Sequence, residues 1–105
     1  MTCRRVKLVV FVPDTHLDIV TSVIKEHCGR IGNYTGCMFL TPGIAKFTPV
    51  DGANPTIGSI DREESVPETR IETTCYECEL STIISSIREV HPYEEPGIES
   101  YNLRE

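Results

Sequence analysis

The chain has 105 residues, a formal charge of -6 and a pI near 5.0. This acidic balance argues against nucleic acid as a partner, because affinity for a phosphate backbone depends on clustered lysine and arginine. The composition, 39% hydrophobic and 25% charged residues, is typical of a globular protein and excludes collagen-like and fully disordered chains. We expect one domain, residues 1–105, with a modest core.

The sequence also argues against membrane insertion. The longest strongly apolar run, residues 8–12, is far shorter than the roughly twenty residues that span a bilayer. It also lacks the length and the cleavage site of a signal peptide. We therefore expect a cytoplasmic protein.

Five cysteines are an odd number without the dense spacing of a secreted disulfide scaffold. They are Cys3, Cys28, Cys37, Cys75 and Cys78. We expect reduced thiols, most of them small hydrophobic residues of the core. The pair Cys75 and Cys78 has the spacing of a redox motif or half a zinc site, but a second such pair is absent from the sequence.

The first third of the chain predicts a strand and a helix. Residues 6–12 are β-branched and continuous up to Pro13, as in a buried central strand. After this strand, an apolar stripe at helical spacing predicts a helix of about thirteen residues, with Asp14 and Thr15 as candidate N-caps. Gly29 stands where a left-handed residue ends a helix.

The middle of the chain predicts a hairpin and a long loop. Residues 34–40 and 44–48 have strand character, and residues 41–43 (TPG) between them have the chemistry of a turn. Residues 49–68 contain three prolines and two glycines and show little periodicity. Long ordered loops of this kind are often functional.

The last third predicts a strand, a helix and a final strand. Residues 70–76 alternate apolar and polar side chains, as in a half-exposed strand. An apolar stripe at helical spacing then runs up to His91, before a last strand at about residues 97–103. The stripe consists of Leu80, Ile83, Ile84, Ile87 and Val90.

This order of elements predicts an α+β fold. Two βαβ-like halves make a ferredoxin-like βαβ-βαβ sandwich, with an extended hairpin and a long loop between the halves. The helices would cover one face of the sheet. Val9, Phe11 and Phe39 cannot all point at the helices, so we expect the bare apolar face to be covered in a homo-oligomer.

Three stretches carry a family resemblance: residues 29–34 (GRIGNY), 52–58 (GANPTIG) and 91–96 (HPYEEP). Together with residues 70–73 (RIET), they resemble the YqfO family, specifically its PII-like or CutA-like module. In larger members that module is inserted within a dinuclear-metal, hydrolase-like domain. The resemblance covers essentially the whole chain and implies a ferredoxin-like fold and a trimer or a multiple of it. It implies no activity, because the metal ligands of the flanking domain have no counterpart here.

The stretch HPYEEP offers the strongest candidate site. His91 and Glu95 could bind a divalent metal ion, the one cofactor that the sequence suggests, since nitrogen and carboxylate oxygen are ligands of such ions. Glu94 and Tyr93 would add polar groups, and Asn54 in the long loop would form a lip over a cleft between subunits. The alternative is structural, with two prolines stiffening the turn and His91 interacting with the helix end.

We therefore predict a non-enzymatic, oligomeric module that binds a small molecule, a divalent metal or a protein partner at clefts between subunits. No Ser-His-Asp arrangement is suggested, and the sequence has neither a phosphate-binding glycine loop nor an HExxH motif. Two alternatives stay open. One is a metal-dependent hydrolase of phosphate or cyclic esters, and the other is a structural subunit that docks onto a separate metal-domain partner.

Overall fold

The structure, a computed structural model, describes residues 3–104. In that range four strands form one antiparallel sheet in the order β2-β3-β1-β4, with two α-helices packed on it. The elements in chain order are β1 (Arg5–Pro13), α1 (Leu17–His27), β2 (Met38–Phe47), β3 (Glu64–Tyr76), α2 (Leu80–Val90) and β4 (Gly97–Asn102). The predicted α+β ferredoxin-like fold is confirmed. Neither α1 nor α2 is long and apolar enough to cross a bilayer.

β1 lies inside the sheet and pairs with β3 on one side and β4 on the other. Because side chains alternate along a strand, its even-numbered residues share one face. These residues are fully buried against apolar residues of both helices and of β3. The core consists mainly of Val6, Leu8, Val10, Val12, Val20, Ile24, Ile71, Ile83 and Ile87. The helices therefore cover one face of the sheet, as predicted.

The other face of the sheet, away from the helices, carries the apolar residues that we did not expect the helices to cover. Val9 is paired with Glu72, which is paired in turn with Phe39, so these side chains share the face away from the helices. Val9 is buried by its neighbours, whereas Phe39 is 67% exposed and Tyr101 on β4 is 51% exposed. The prediction that Val9, Phe11 and Phe39 cannot all face the helices is confirmed.

The predicted hairpin within residues 34–48 is wrong. β2 runs without interruption through residues 41–43 and pairs with β3 over ten residues, from Met38 opposite Thr73 to Phe47 opposite Glu64. Pro42 is tolerated because β2 is an edge strand of the sheet, where a missing N–H group costs less. The extended hairpin between the two halves is therefore formed by β2 and β3.

The long loop is shorter than the sequence indicates. It comprises residues 48–63, because residues 64–68, which we expected in the loop, are the beginning of β3. Along the chain, Glu68 is the first residue of β3 that pairs with β1, and it lies opposite Pro13. Pro67, just before it, lies in the two-stranded part of the hairpin, where β3 pairs with β2 alone.

The two ends of α1 differ in how well the sequence predicted them. Gly29 has a φ of 79°, and a Cβ added to it would overlap the backbone of Cys37, so the predicted left-handed glycine is confirmed. At the start, neither Asp14 nor Thr15 caps α1; the N-cap is His16. The carboxylate of Asp14 instead accepts a hydrogen bond from Thr69 Oγ1 at 2.9 Å, which ties the start of the helical segment to β3.

The expectation that all five thiols are reduced is wrong for two of them. Cys3 and Cys78 form a disulfide across a sequence separation of 75 residues. The pairing of Arg5 with Tyr76 brings the two segments together, and the Cα atoms of the cysteines are 5.9 Å apart. Cys28 and Cys75 are buried in the core, as expected. A hydrogen bond to Cys75 and burial together raise the pKa of the Cys28 thiol.

Breaking this disulfide should reduce stability substantially. A cross-link that closes a loop of this length stabilises by about 4 kcal/mol, because it restricts the unfolded chain. We expect Cys78→Ser, or reduction of the native chain, to lower the free energy of unfolding by that order, measured by urea denaturation. The matched control is Cys37→Ser, which removes a free, half-buried thiol and should cost far less. Equal midpoints for the two variants would contradict the prediction.

Candidate functional site

A cavity of about 460 Å³ lies where three segments meet: the outer part of the β2–β3 hairpin, the loop of residues 48–63, and the turn between α2 and β4. This volume is in the range of small-molecule sites, about 300–1,000 Å³. Three aromatic residues, Phe11, Phe47 and Tyr93, and three carboxylates, Glu68, Glu94 and Glu95, are among the residues that line it. Among the predicted site residues, Tyr93, Glu94 and Glu95 therefore share one cavity.

Two hydrogen bonds fasten the long loop to the turn between α2 and β4. The backbone N–H of Asn54 donates to the carboxylate of Glu94, with both oxygens at 3.2 Å. Thr56 Oγ1 donates to the carbonyl oxygen of Pro92 at 2.7 Å. The structure thus brings Asn54 and Glu94 together, but Asn54 contributes its backbone and does not line the cavity.

Tyr93 connects this turn to the hairpin. Its hydroxyl donates to Glu68 Oε2 at 2.7 Å, and its ring meets the ring of Phe47 edge to face, with centroids 5.9 Å apart. Burial, followed by the hydrogen bond to Glu68, raises the pKa of the Tyr93 phenol. The phenol therefore stays protonated and acts as a donor at neutral pH.

His91 holds the start of the turn against the sheet. Its Nε2 lies 2.8 Å from the carbonyl oxygen of Phe11, and its Nδ1 accepts the backbone N–H of Tyr93 at 3.2 Å. Because a carbonyl can only accept, the proton of the neutral ring is on Nε2. His91 is 7% exposed, and burial lowers its pKa below the ordinary value. These contacts describe a structural histidine that does not line the cavity.

The same contacts bear on the metal site predicted at His91 and Glu95. Both ring nitrogens of His91 already have backbone partners, so ligation through either one requires that contact to break. Throughout residues 3–104, no three side chains of His, Cys, Asp or Glu are arranged to hold a metal ion together. The residues present therefore fit a metal centre poorly.

Sequence reasoning missed three of the residues that shape the cavity: Phe11, Phe47 and Glu68. Glu68 had been placed in the long loop, where a glutamate is expected in solvent, yet it is only 6% exposed. The alternation of charged residues at positions 68, 70 and 72 continues the period of β3 and was a usable signal. Phe47 could not be assigned without the pairing of β2 with β3.

Solved structures establish the class of fold. The crystal structure of the divalent ion tolerance protein CutA1 from Ehrlichia chaffeensis matches with a TM-score of 0.71 at 12% identity, over 100% of this chain and 86% of that one. The CutA of Archaeoglobus fulgidus matches with a TM-score of 0.70 at 10% identity, over 96% and 85% of the two chains. At such low identity the likeness shows the fold alone, which is the CutA-like form of the ferredoxin-like fold.

Sequence relatives show which proteins contain a similar module, although no family profile matches the chain. The chain is 42% identical over 98 residues to the GTP cyclohydrolase 1 type 2 homolog of Halalkalibacterium halodurans, a match that covers 92% of this chain and 26% of that protein. A Bacillus cereus protein related to NIF3 matches with a TM-score of 0.85 at 33% identity, over 100% of this chain and 27% of that one. The chain is therefore similar to one module of these NIF3/YqfO proteins and spans about a quarter of the length of the relatives that it matches.

The depressed pKa of His91 predicts how stability changes with pH. In the pH range between the lowered pKa of the folded state and the ordinary value of 6.5, the unfolded chain binds a proton that the folded chain does not. The contribution of His91 is therefore complete above pH 6.5 and decreases as the pH falls below it. We expect the free energy of unfolding, measured by urea denaturation across this range, to fall more steeply in the native chain than in His91→Gln. Parallel curves would contradict this prediction.

The bond between Tyr93 and Glu68 should also be measurable. Tyr93→Phe removes the donor that the structure gives to a buried carboxylate, so we expect a loss of about 1–3 kcal/mol in the free energy of unfolding. Tyr101→Phe is the matched control, because the Tyr101 ring is half exposed and the structure shows no hydrogen bond from its hydroxyl within residues 3–104. Combining Tyr93→Phe with Glu68→Gln should recover part of the loss. Equal unfolding free energies for Tyr93→Phe and Tyr101→Phe would show that the bond between Tyr93 and Glu68 contributes nothing.

Proposed function

We propose that the chain is an oligomeric binding module of the PII/CutA-like kind, whose small-molecule ligand occupies the cavity beside Tyr93 and Glu95. The observation that carries this proposal is the construction of the cavity. Its walls come from the hairpin, the long loop and the turn after α2, and hydrogen bonds from Asn54 and Thr56 hold the loop to that turn. A pocket built in this way from distant segments is largely preformed, as ligand sites usually are.

Most polar groups around the cavity already have hydrogen-bond partners within the chain, which favours binding over catalysis. Tyr93 donates to Glu68, and its raised pKa makes the phenol a poor proton donor in a reaction at neutral pH. Glu94 accepts the Asn54 backbone, and both nitrogens of His91 are occupied. These groups shape and charge a cavity, and Glu95 is the carboxylate among them for which the structure shows no hydrogen bond or ion pair within residues 3–104.

The proposed assembly is a homotrimer or a multiple of it, in the cytoplasm. Support for an oligomer comes from the sheet face away from the helices, where Phe39 and Tyr101 are both more than half exposed. Exposed aromatic residues on an open sheet face commonly mark a contact surface. The CutA-like fold and the family resemblance are consistent with a symmetric assembly through this sheet.

Three alternatives remain proposals with less support. A divalent metal at His91 and Glu95 would agree with the divalent ion tolerance named for the CutA structures, but it requires His91 to release a backbone contact. Hydrolysis of a phosphate or cyclic ester is suggested by the cyclohydrolase name of relatives that are about four times as long. The third alternative is a structural subunit that docks onto a separate partner, and co-purification of such a partner would support it. Turnover that depends on added divalent metal would support the hydrolase.

Native mass spectrometry of the protein purified without chelator tests the proposed module. We expect a trimer or a multiple of it, with any tightly held ligand seen as a fixed mass increment for each subunit. Phe39→Ser should shift the protein towards the monomer without unfolding it, because the side chain is 67% exposed within one chain.

The control for this variant is Ile19→Ser, which changes another exposed apolar residue, 48% accessible, on α1. It should leave the subunit number unchanged. A native chain that is monomeric at all concentrations, or an equal effect of the two variants, would overturn the assembly through the sheet face.

A further inference from the structure

The charges around the cavity are strongly one-sided. Three carboxylates line it, from Glu68, Glu94 and Glu95, against one cationic side chain, Lys46. Lys46 Nζ lies 3.3 Å from Glu63 Oε1, so its charge is already compensated from outside the cavity. Arg70 lies nearby over the ring of Phe11 but is paired with Glu72 and does not line the cavity. The potential inside is therefore negative.

One of these carboxylates is buried at the cavity wall. Glu68 is 6% exposed and accepts one hydrogen bond, from the Tyr93 hydroxyl to its Oε2. The structure shows no donor within residues 3–104 for its other oxygen. Every fully buried polar side-chain atom in this range has a partner, so this oxygen must be partly accessible. Because Glu68 lines the cavity, the free acceptor is available to a donor from a bound molecule.

The rest of the wall is apolar and aromatic. Phe11, Phe47 and Tyr93 line the cavity together with the side chains of Ala45, Val50, Ala53, Pro49, Pro55 and Ile57. Aromatic faces attract cations as well as apolar groups, because the face of the ring carries partial negative charge. A metal ion would have to give up water ligands that apolar walls cannot replace, and the carboxylates are not grouped to chelate one. A phosphate or another anion would meet three carboxylates.

We infer that the cavity selects an organic cation, a protonated amine carried on a small aromatic or apolar body. The ammonium group would donate to Glu95 and to the free oxygen of Glu68, and the body would pack against Phe47 and Tyr93. This inference rests on the proposed function, because it names the class of ligand for the same cavity.

Isothermal titration of the native protein, at the subunit number found by mass spectrometry, tests this with three matched probes. They are phenethylammonium, phenethyl alcohol and hydrocinnamate, which present a cation, a neutral group and an anion on the same phenyl body. A charge-assisted hydrogen bond is stronger than a neutral one by about 1 kcal/mol or more, so we expect the cation to bind about fivefold or more tightly than the alcohol. Hydrocinnamate should bind more weakly than the alcohol.

Variants connect this preference to the cavity. Glu95→Gln and Glu68→Gln each remove a charge while keeping an acceptor, so each should reduce the preference for the cation and leave the affinity for the alcohol unchanged. The matched control is Glu89→Gln, on the exposed side of α2, which should keep the preference. If Glu68→Gln unfolds the chain, Glu95→Gln alone decides the question.

Each contrary result overturns a different statement. Equal affinity for cation and alcohol would overturn the inferred cation and leave the cavity as a ligand site. Preference for the cation that survives both Glu95→Gln and Glu68→Gln would place its binding elsewhere and overturn the inference. A trimer that binds none of the three probes would overturn the inference and, with it, the binding function proposed for the cavity.

Discussion

The position of β1 inside the sheet is the constraint on which the rest of the molecule depends. Because β1 is paired on both edges, its even-numbered residues form the floor of a core that both helices cover. Its backbone also positions the candidate site, since the carbonyl of Phe11 bonds His91 at the end of α2. His91 then fixes the backbone of Tyr93, and Tyr93 reaches Glu68 on β3. A chain of short contacts thus leads from the sheet to the cavity wall.

The elements that could be predicted are those whose signal is local. α2 has a stripe at helical spacing, β1 is a continuous β-branched run, and Gly29 is a glycine directly after a helical stripe. The interruption at residues 41–43 was predicted from equally local turn chemistry, and it failed because ten ladder pairs between β2 and β3 outweigh the preference of three residues. Pairings between distant segments have no comparable signature in one sequence.

In the candidate site, too, the sequence predicted some of the residues that come together but not how they are arranged. The sequence showed that residues 91–96 concentrate polar groups, but their roles follow from tertiary contacts. His91 bonds the backbone on both sides of its ring, and Asn54 contributes a backbone N–H where a side chain was expected. The disulfide between Cys3 and Cys78 is a further example, since the number and spacing of the cysteines predicted reduced thiols. In each case the partner lies far away in the sequence.

Stability alone gives a poor explanation of Glu68. Removing a carboxylate from water costs several kcal/mol unless hydrogen bonds or opposite charges compensate it, and an apolar residue of similar size at such a position is often neutral or stabilising. The structure shows one compensating bond, from Tyr93, while the second oxygen is left to the cavity. Glu94 differs, because it fastens the long loop through Asn54 and so has a structural reason to be acidic. The proposed ligand would supply the compensation that the fold does not give, since Glu68 lines a cavity of ligand size.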